Sequence, residues 1–230
     1  MPIKMIASAP SRVTALGQPE YVVDPADNAA AMRQLGFERI LSRAAEFYDL
    51  SKNINDYFLT GVPIIWSDLP NRNGIAMSLE DLTAWNKKKG CLAYEGWKGQ
   101  AVRVEHDWNG PAIGLIPDVA LKQLRGFGMS HLWKVITLLA VDRTKDTERA
   151  KKIESNELNS WSMGCLVGRF SCSICGSEEK ECDHLPEGVN FRDHKGKIAF
   201  RNAHEIDAEE VSSVGDPAYG VAIADKIITY

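Results

Sequence analysis

The sequence predicts a mixed α+β fold, a small barrel or curled sheet flanked by helices. Three observations lead there. An amphipathic helix near the N-terminus gives way to short strands and turns from about residue 57. A nearly continuous apolar run at 132–141 reads as a strand buried on both faces. A charged helical segment then separates that run from a further strand.

The elements follow in order. Residues 1–27 are rich in Pro, Ala and Ser and show no period, as expected of an extended leader. A helix is expected from about residue 28, with Phe37, Ile40, Leu41, Ala44, Phe47 and Tyr48 on its apolar face. Residues 62–66 (VPIIW) are a strand, and 69–74 (LPNRNG) carry turn chemistry. Residues 78–90 predict a short helix with Ser78 as N-cap and Gly90 just past its end. Residues 100–118 read as strand, turn, strand, with Val102 and Val104 on one face. Residues 144–158 form a charged helix whose Asn156 suits the left-handed position after a C-terminus. Strands are expected again around Ser162, at 197–203 and at 209–215. Residues 1–50 are therefore a leader and helical extension. Residues 51–230 are the main domain, with a Cys/His insert at 170–186.

The bulk numbers exclude several classes. The chain has 230 residues, 44% apolar and 25% charged, with a net charge of −4, so no global field points to nucleic acid or membrane. No run approaches the roughly 18 apolar residues of a membrane span, and the N-terminus lacks a signal-peptide core, which predicts a cytosolic protein. Five cysteines in such a chain argue against a disulfide framework. Cys91 and Cys165 read as small buried apolar residues.

Residues 159–185, NSWSMGCLVGRFSCSICGSEEKECDHL, hold two chemistries. Ser162 precedes Met163, Gly164 and Cys165, whose amides are candidate donors to an oxyanion. Gly164 leaves room for a substrate carbonyl to approach. Alone, a serine before a glycine is more often a turn residue. His106 closes the strand VRVEH, a well-held place for a general base, although a surface histidine between two acids is the commoner case. The acids that could orient it are numerous: Asp107, Asp142, Asp207, Glu209, Glu210 and Asp216. Cys172, Cys175, Cys182 and His184 have the spacing of a closed tetrahedral zinc site. The polar loop between the pairs cannot make a core, and a metal would hold it. A thioredoxin-type redox role is disfavoured because GSEEKE, not an apolar helix, follows Cys175.

Taken in order, LPNRNG, the strand-end His106, SMGC at 162–165, CSICG with CDHL, and EEVSSVGDPAYGVA resemble the prohead (capsid maturation) serine proteases of tailed phages, in the large-phage branch with a Cys-rich insert. The resemblance covers about residues 63–222. It implies an assemblin-like fold, His106 as base, Ser162 as nucleophile, and an acid that falls on Glu210, with Glu209, Asp216 and Asp142 as alternatives. It implies scaffold, core and major capsid proteins as substrates, self-cleavage, self-association, and action inside the procapsid in the host cytoplasm, with no membrane or direct nucleic-acid partner. Trp161 replaces a small or branched residue, which predicts a narrowed groove. Ala208 replaces an aromatic two residues before the acid, which leaves the register open. The alternative readings are an inactive protease relative or a zinc-knuckle binding module in the virion core; the acidic insert disfavours the latter.

Overall fold

The computed structural model describes residues 36–124, 131–179 and 181–219. The expected leader, the start of the first helix and the C-terminal end lie outside these residues.

The apolar run at 132–141 becomes β7 (Trp133–Asp142), which pairs antiparallel with β1 (Tyr57–Trp66) on one side and β6 (Gly114–Gln123) on the other. Its side chains alternate between two cores, as a doubly covered strand requires. Val135, Leu139 and Val141 join the main core, while Leu138 and Ala140 face the packed side of α1 (Phe37–Tyr48). Among the described residues the sheet has seven strands, in the order β1-β7-β6-β5-β11-β2, with β8 on the far edge of β11. Here β2 is Ile75–Ala76, β5 is Ala101–Val104, β8 is Trp161–Cys172 and β11 is Arg201–Ser213. Register shifts at Pro63/Ile65, Leu115/Asp118 and Ala208/Glu210 curl it into a half-barrel. Pro63 is tolerated because β1 is an edge strand, where a missing amide breaks no second ladder.

The strand–turn–strand reading of 100–118 holds, and Val102 and Val104 both meet the main core. So does the charged helix: α3 (Thr147–Glu154) is capped by Asp146, and Asn156 follows it at φ 62°. Four expectations change. In α1 the packed stripe is Phe37, Leu41 and Ala45, and Phe47 stays 82% exposed, because the sheet meets a narrower arc than the apolar pattern spans. The helix capped by Ser78, α2 (Leu79–Thr83), ends early. Residues Trp85–Asn86 (β3) then pair with Cys91–Leu92 (β4), and Gly90 serves that hairpin at φ 67° instead of capping the helix. The last two expected strands are largely one, because β11 runs unbroken through both; only Lys197–Ala199 (β10) is separate, paired with Arg192–His194 (β9). Cys91 and Cys165 are partly rather than fully buried, and Cys165 packs against the main core.

Candidate active site and metal centre

β8 and β11 form a long antiparallel pair, and its register assembles the site. Ser162 faces Ser212, and Gly164 faces Glu210. Between Ala208 and Glu210 the ladder takes in one extra residue, so Glu209 is the bulge and Glu210 returns to the face of Ser212. Trp97, fully buried beneath, donates its indole N–H to the carbonyls of Glu210 (3.1 Å) and Gly164 (3.3 Å) and holds the two strands at the bulge.

β5 runs parallel to the end of β11, with Val104 beside Ser213. The chain then turns sharply through Glu105 (φ 49°) and His106 (φ 56°), two consecutive left-handed residues. Three contacts fix this turn. The Glu105 amide donates to the Ser213 carbonyl (3.1 Å), the Gly215 amide donates to Glu105 Oε1 (2.9 Å), and the His106 amide donates to Ser212 Oγ (3.1 Å). The imidazole is thereby brought against Glu210: His106 Nδ1 and Glu210 Oε1 lie 2.6 Å apart. Ser212 Oγ donates to the other carboxylate oxygen at 2.5 Å. Glu210 is only 2% exposed, and a carboxylate so buried needs both partners. With Glu210 ionised, Nδ1 carries the proton and Nε2 the lone pair. The hydrogen bond to Glu210 raises the His106 pKa above its ordinary value, against burial, which lowers it.

Ser162 and His106 line one groove of about 620 Å³, together with residues 163–167, the turn residues Asn71, Arg72 and Asn73, and Asp216. The Ser162 hydroxyl makes no hydrogen bond among the described residues, to His106 included; such contacts are often long without substrate and tighten in the complex. Among the described residues, no strand pairs with the second edge of β8, so alternate amides of 163–165 point away from β11. Burial, reinforced by Glu209 and Glu210, pushes the Cys165 thiol up to about 12, which removes it as a competing nucleophile.

The other acids have different duties. Asp142 accepts from the amides of Ser51 and Thr144 (both 2.8 Å) and from the Thr144 hydroxyl (2.6 Å). Asp216 pairs with Arg72, and Asp207 with Lys88 and Lys89. Asp107 caps the turn at the Asn109 amide (3.1 Å).

Two expectations about neighbours of the site are corrected. Trp161 is 0% exposed, belongs to the main core and does not line the groove, because a strand sends successive side chains to opposite faces. The space at Gly164 belongs to Glu210: a Cβ there would overlap the Glu210 carboxylate, so the glycine serves the acid and not an incoming carbonyl. Ala208 is similarly explained, since it packs fully buried over Gly96, where an aromatic ring would not fit.

Sequence reasoning missed a second relay. Ser171 Oγ lies 2.8 Å from His204 Nε2, His204 Nδ1 lies 2.9 Å from Asp81 Oδ1, and Ser78 Oγ donates to Asp81 Oδ2 at 2.5 Å. The order of groups is that of a catalytic triad. Ser171 is buried within the β8–β11 ladder and does not line the groove, so the relay ties α2 to the two strands. Its parts lie 123 residues apart along the chain, which no local pattern reveals.

The four residues of the metal pattern do converge. The ligand atoms of Cys172, Cys175, Cys182 and His184 all lie within 4.8 Å of one another. The Ile174 amide lies 3.5 Å from Cys172 Sγ, and the Gly176 amide donates to the Cys172 carbonyl, which makes the first pair a tight turn. His184 Nδ1 is buried without a hydrogen-bond partner in the described chain, as a ligand nitrogen would be. Three thiols and an imidazole at this spacing could bind one soft or borderline cation.

Comparison with family models, with curated proteins and with solved structures finds no match to this chain. Among the described residues, no helix is long and apolar enough to cross a membrane.

Proposed function

We propose that this chain is a serine endopeptidase with an assemblin-like fold, in which Ser162 is the nucleophile, His106 the general base and Glu210 the acid that orients it. The observation that carries the reading is the contact of His106 Nδ1 with the buried Glu210 at the edge of the groove that Ser162 lines. Glu210 fixes the tautomer, which leaves His106 Nε2 free to take a proton.

In the reaction, Ser162 Oγ attacks the scissile carbonyl carbon and passes its proton to His106 Nε2. Amides on the free edge of β8, from Met163, Gly164 or Cys165, stabilise the oxyanion. The carbon–nitrogen bond breaks as His106 returns the proton to the leaving amine. Water then attacks the acyl ester, His106 takes its proton, and the ester oxygen recovers that proton as Ser162 is released. Glu210 stays ionised throughout and stabilises the imidazolium.

The metal is zinc, held by Cys172, Cys175, Cys182 and His184. Four protein ligands leave no open position, so its contribution is structural. The resemblance of the ordered motifs to phage prohead proteases supports scaffold, core and capsid proteins as substrates inside the procapsid, with self-cleavage. Incubating the parent and a Ser162→Ala variant with those proteins tests the reading. Ser162→Ala is expected to lose self-cleavage and processing, and normal processing by it overturns the assignment in favour of a non-catalytic core protein.

A further inference from the structure

We infer that the Cys/His clip supports part of the wall of the groove that Ser162 lines: by ordering residues 182–200 it seats Asn190 against Gly74 and so positions Asn71, Arg72 and Asn73. The groove is the one assigned above to substrate; the mechanical coupling does not depend on that assignment.

The insert leaves β8 at Cys172 and returns at Arg201, which are paired across the ladder, so it is the closed end of a hairpin. The ligand segment is tied to the rest of the insert at three points. Arg192 Nη1 donates to the carbonyl of Asp183, the residue between two ligands, at 2.8 Å. The rings of His184 and His194 meet edge-on at 4.6 Å. Cys172, Leu185 and Ala199 share a small core against which Val189 packs. Val189 leads directly into Asn190.

Asn190 meets the groove wall at Gly74. A Cβ on Gly74 would overlap the Asn190 carbonyl, and Gly74 adopts φ +71°, so only glycine allows this seat. The Gly74 carbonyl accepts from the Arg201 amide (2.9 Å) at the point where β2 joins β11. From Gly74 the turn closes on itself. Its amide donates to the Asn71 carbonyl, while Asn71 Oδ1 accepts from the amides of Asn73 (2.9 Å) and Ile75 (3.2 Å). Arg72 continues the contact to two further lining residues, its amide donating to the Ala218 carbonyl (2.8 Å) and its guanidinium pairing with Asp216. Four ligands that carry no catalytic position thus act on the groove through packed backbone.

Amide hydrogen exchange on the Zn(II)-loaded and the chelated protein tests the coupling. Removing Zn(II) is expected to speed exchange at Gly74, Ile75 and Arg201 by at least roughly tenfold, with Leu138 and Leu139 unchanged. Loosening confined to 172–185, with those three amides unaltered, overturns the inference. If chelation unfolds the whole chain, reciprocity decides. Gly74→Ala, titrated with Zn(II) against a competing chelator, should bind the ion about 5- to 150-fold more weakly than the parent; unchanged affinity overturns the inference. Neither readout needs proteolysis, so an inactive Ser162 leaves the coupling standing, and a failed coupling leaves the protease assignment standing.

Discussion

Glu210 and Gly164 face each other across the β8–β11 ladder, and the carboxylate occupies the space that any side chain at 164 would need. The acid that orients His106 therefore depends on the absence of a Cβ on the neighbouring strand.

Gly164→Ala should fold but displace Glu210 from His106. The expected result is a rate loss on the order of 10²- to 10⁴-fold, in the range of other changes that misorient a catalytic histidine, with about 1–3 kcal/mol of lost stability from overpacking. Kinetics on a scaffold-derived substrate and a denaturant titration measure the two effects. A fully active Gly164→Ala enzyme would remove Glu210 from the mechanism.

The pH dependence has a definite sign. His106 must be neutral to act as base, so the rate should rise as pH climbs through its raised pKa. Glu210→Gln removes the chief cause of that rise, so the acid limb should move to lower pH while the maximum rate falls. Stability runs the other way. The folded pKa lies above the unfolded one, so the His106–Glu210 contribution is fully present below the unfolded value and is lost as pH rises through the folded value. Profiles of kcat and of unfolding free energy against pH check both signs.

Ser162→Ala and Ser171→Ala separate the two relays. Ser162 faces the groove and Ser171 the ladder. Loss of activity is expected for Ser162→Ala, whereas Ser171→Ala should retain parent kcat/KM and lose about 1 kcal/mol of stability with its hydrogen bond. Reversal of this pattern would move the nucleophile to Ser171.

Trp161→Ala should unfold more easily by about 3–5 kcal/mol, as for other fully buried aromatics. Because Trp161 lies in the core and not in the groove, KM under native conditions should hold. A large KM change at unchanged stability would place the indole in the groove after all.

For the proposed zinc site, metal analysis of the purified chain should find about one zinc per protein, bound by the four converging ligands. Cys182→Ser should lower that content and the melting temperature together. Less than about half an equivalent, with all four ligands intact, would reject a structural zinc site.

Much of this molecule is local and was legible as such. The buried strand at 132–141, the cap at Ser78, the left-handed Asn156 and the Cys/His spacing depend on residues within a few positions of one another, where periodicity and backbone chemistry act directly. The failures share a cause. Nothing within residues 78–90 says that the helix must stop so that Trp85 can pair with Leu92, and nothing near Phe47 says which arc of the helix meets the sheet.

By itself the sequence determined the parts: a serine before a small-residue segment, a histidine at a strand end, several acids downstream and four metal-type ligands. Only the tertiary structure decided among them. A single bulge at Glu209 turns Glu210 toward His106, and the strand's alternation sends Trp161 inward as Ser162 turns to the groove. The reason is that side chains on a strand alternate with a period of two, so one inserted residue exchanges the faces. Whether that residue is accommodated depends on the partner strand and on Trp97 beneath it, which lie 46 and 113 residues from Glu210 in sequence.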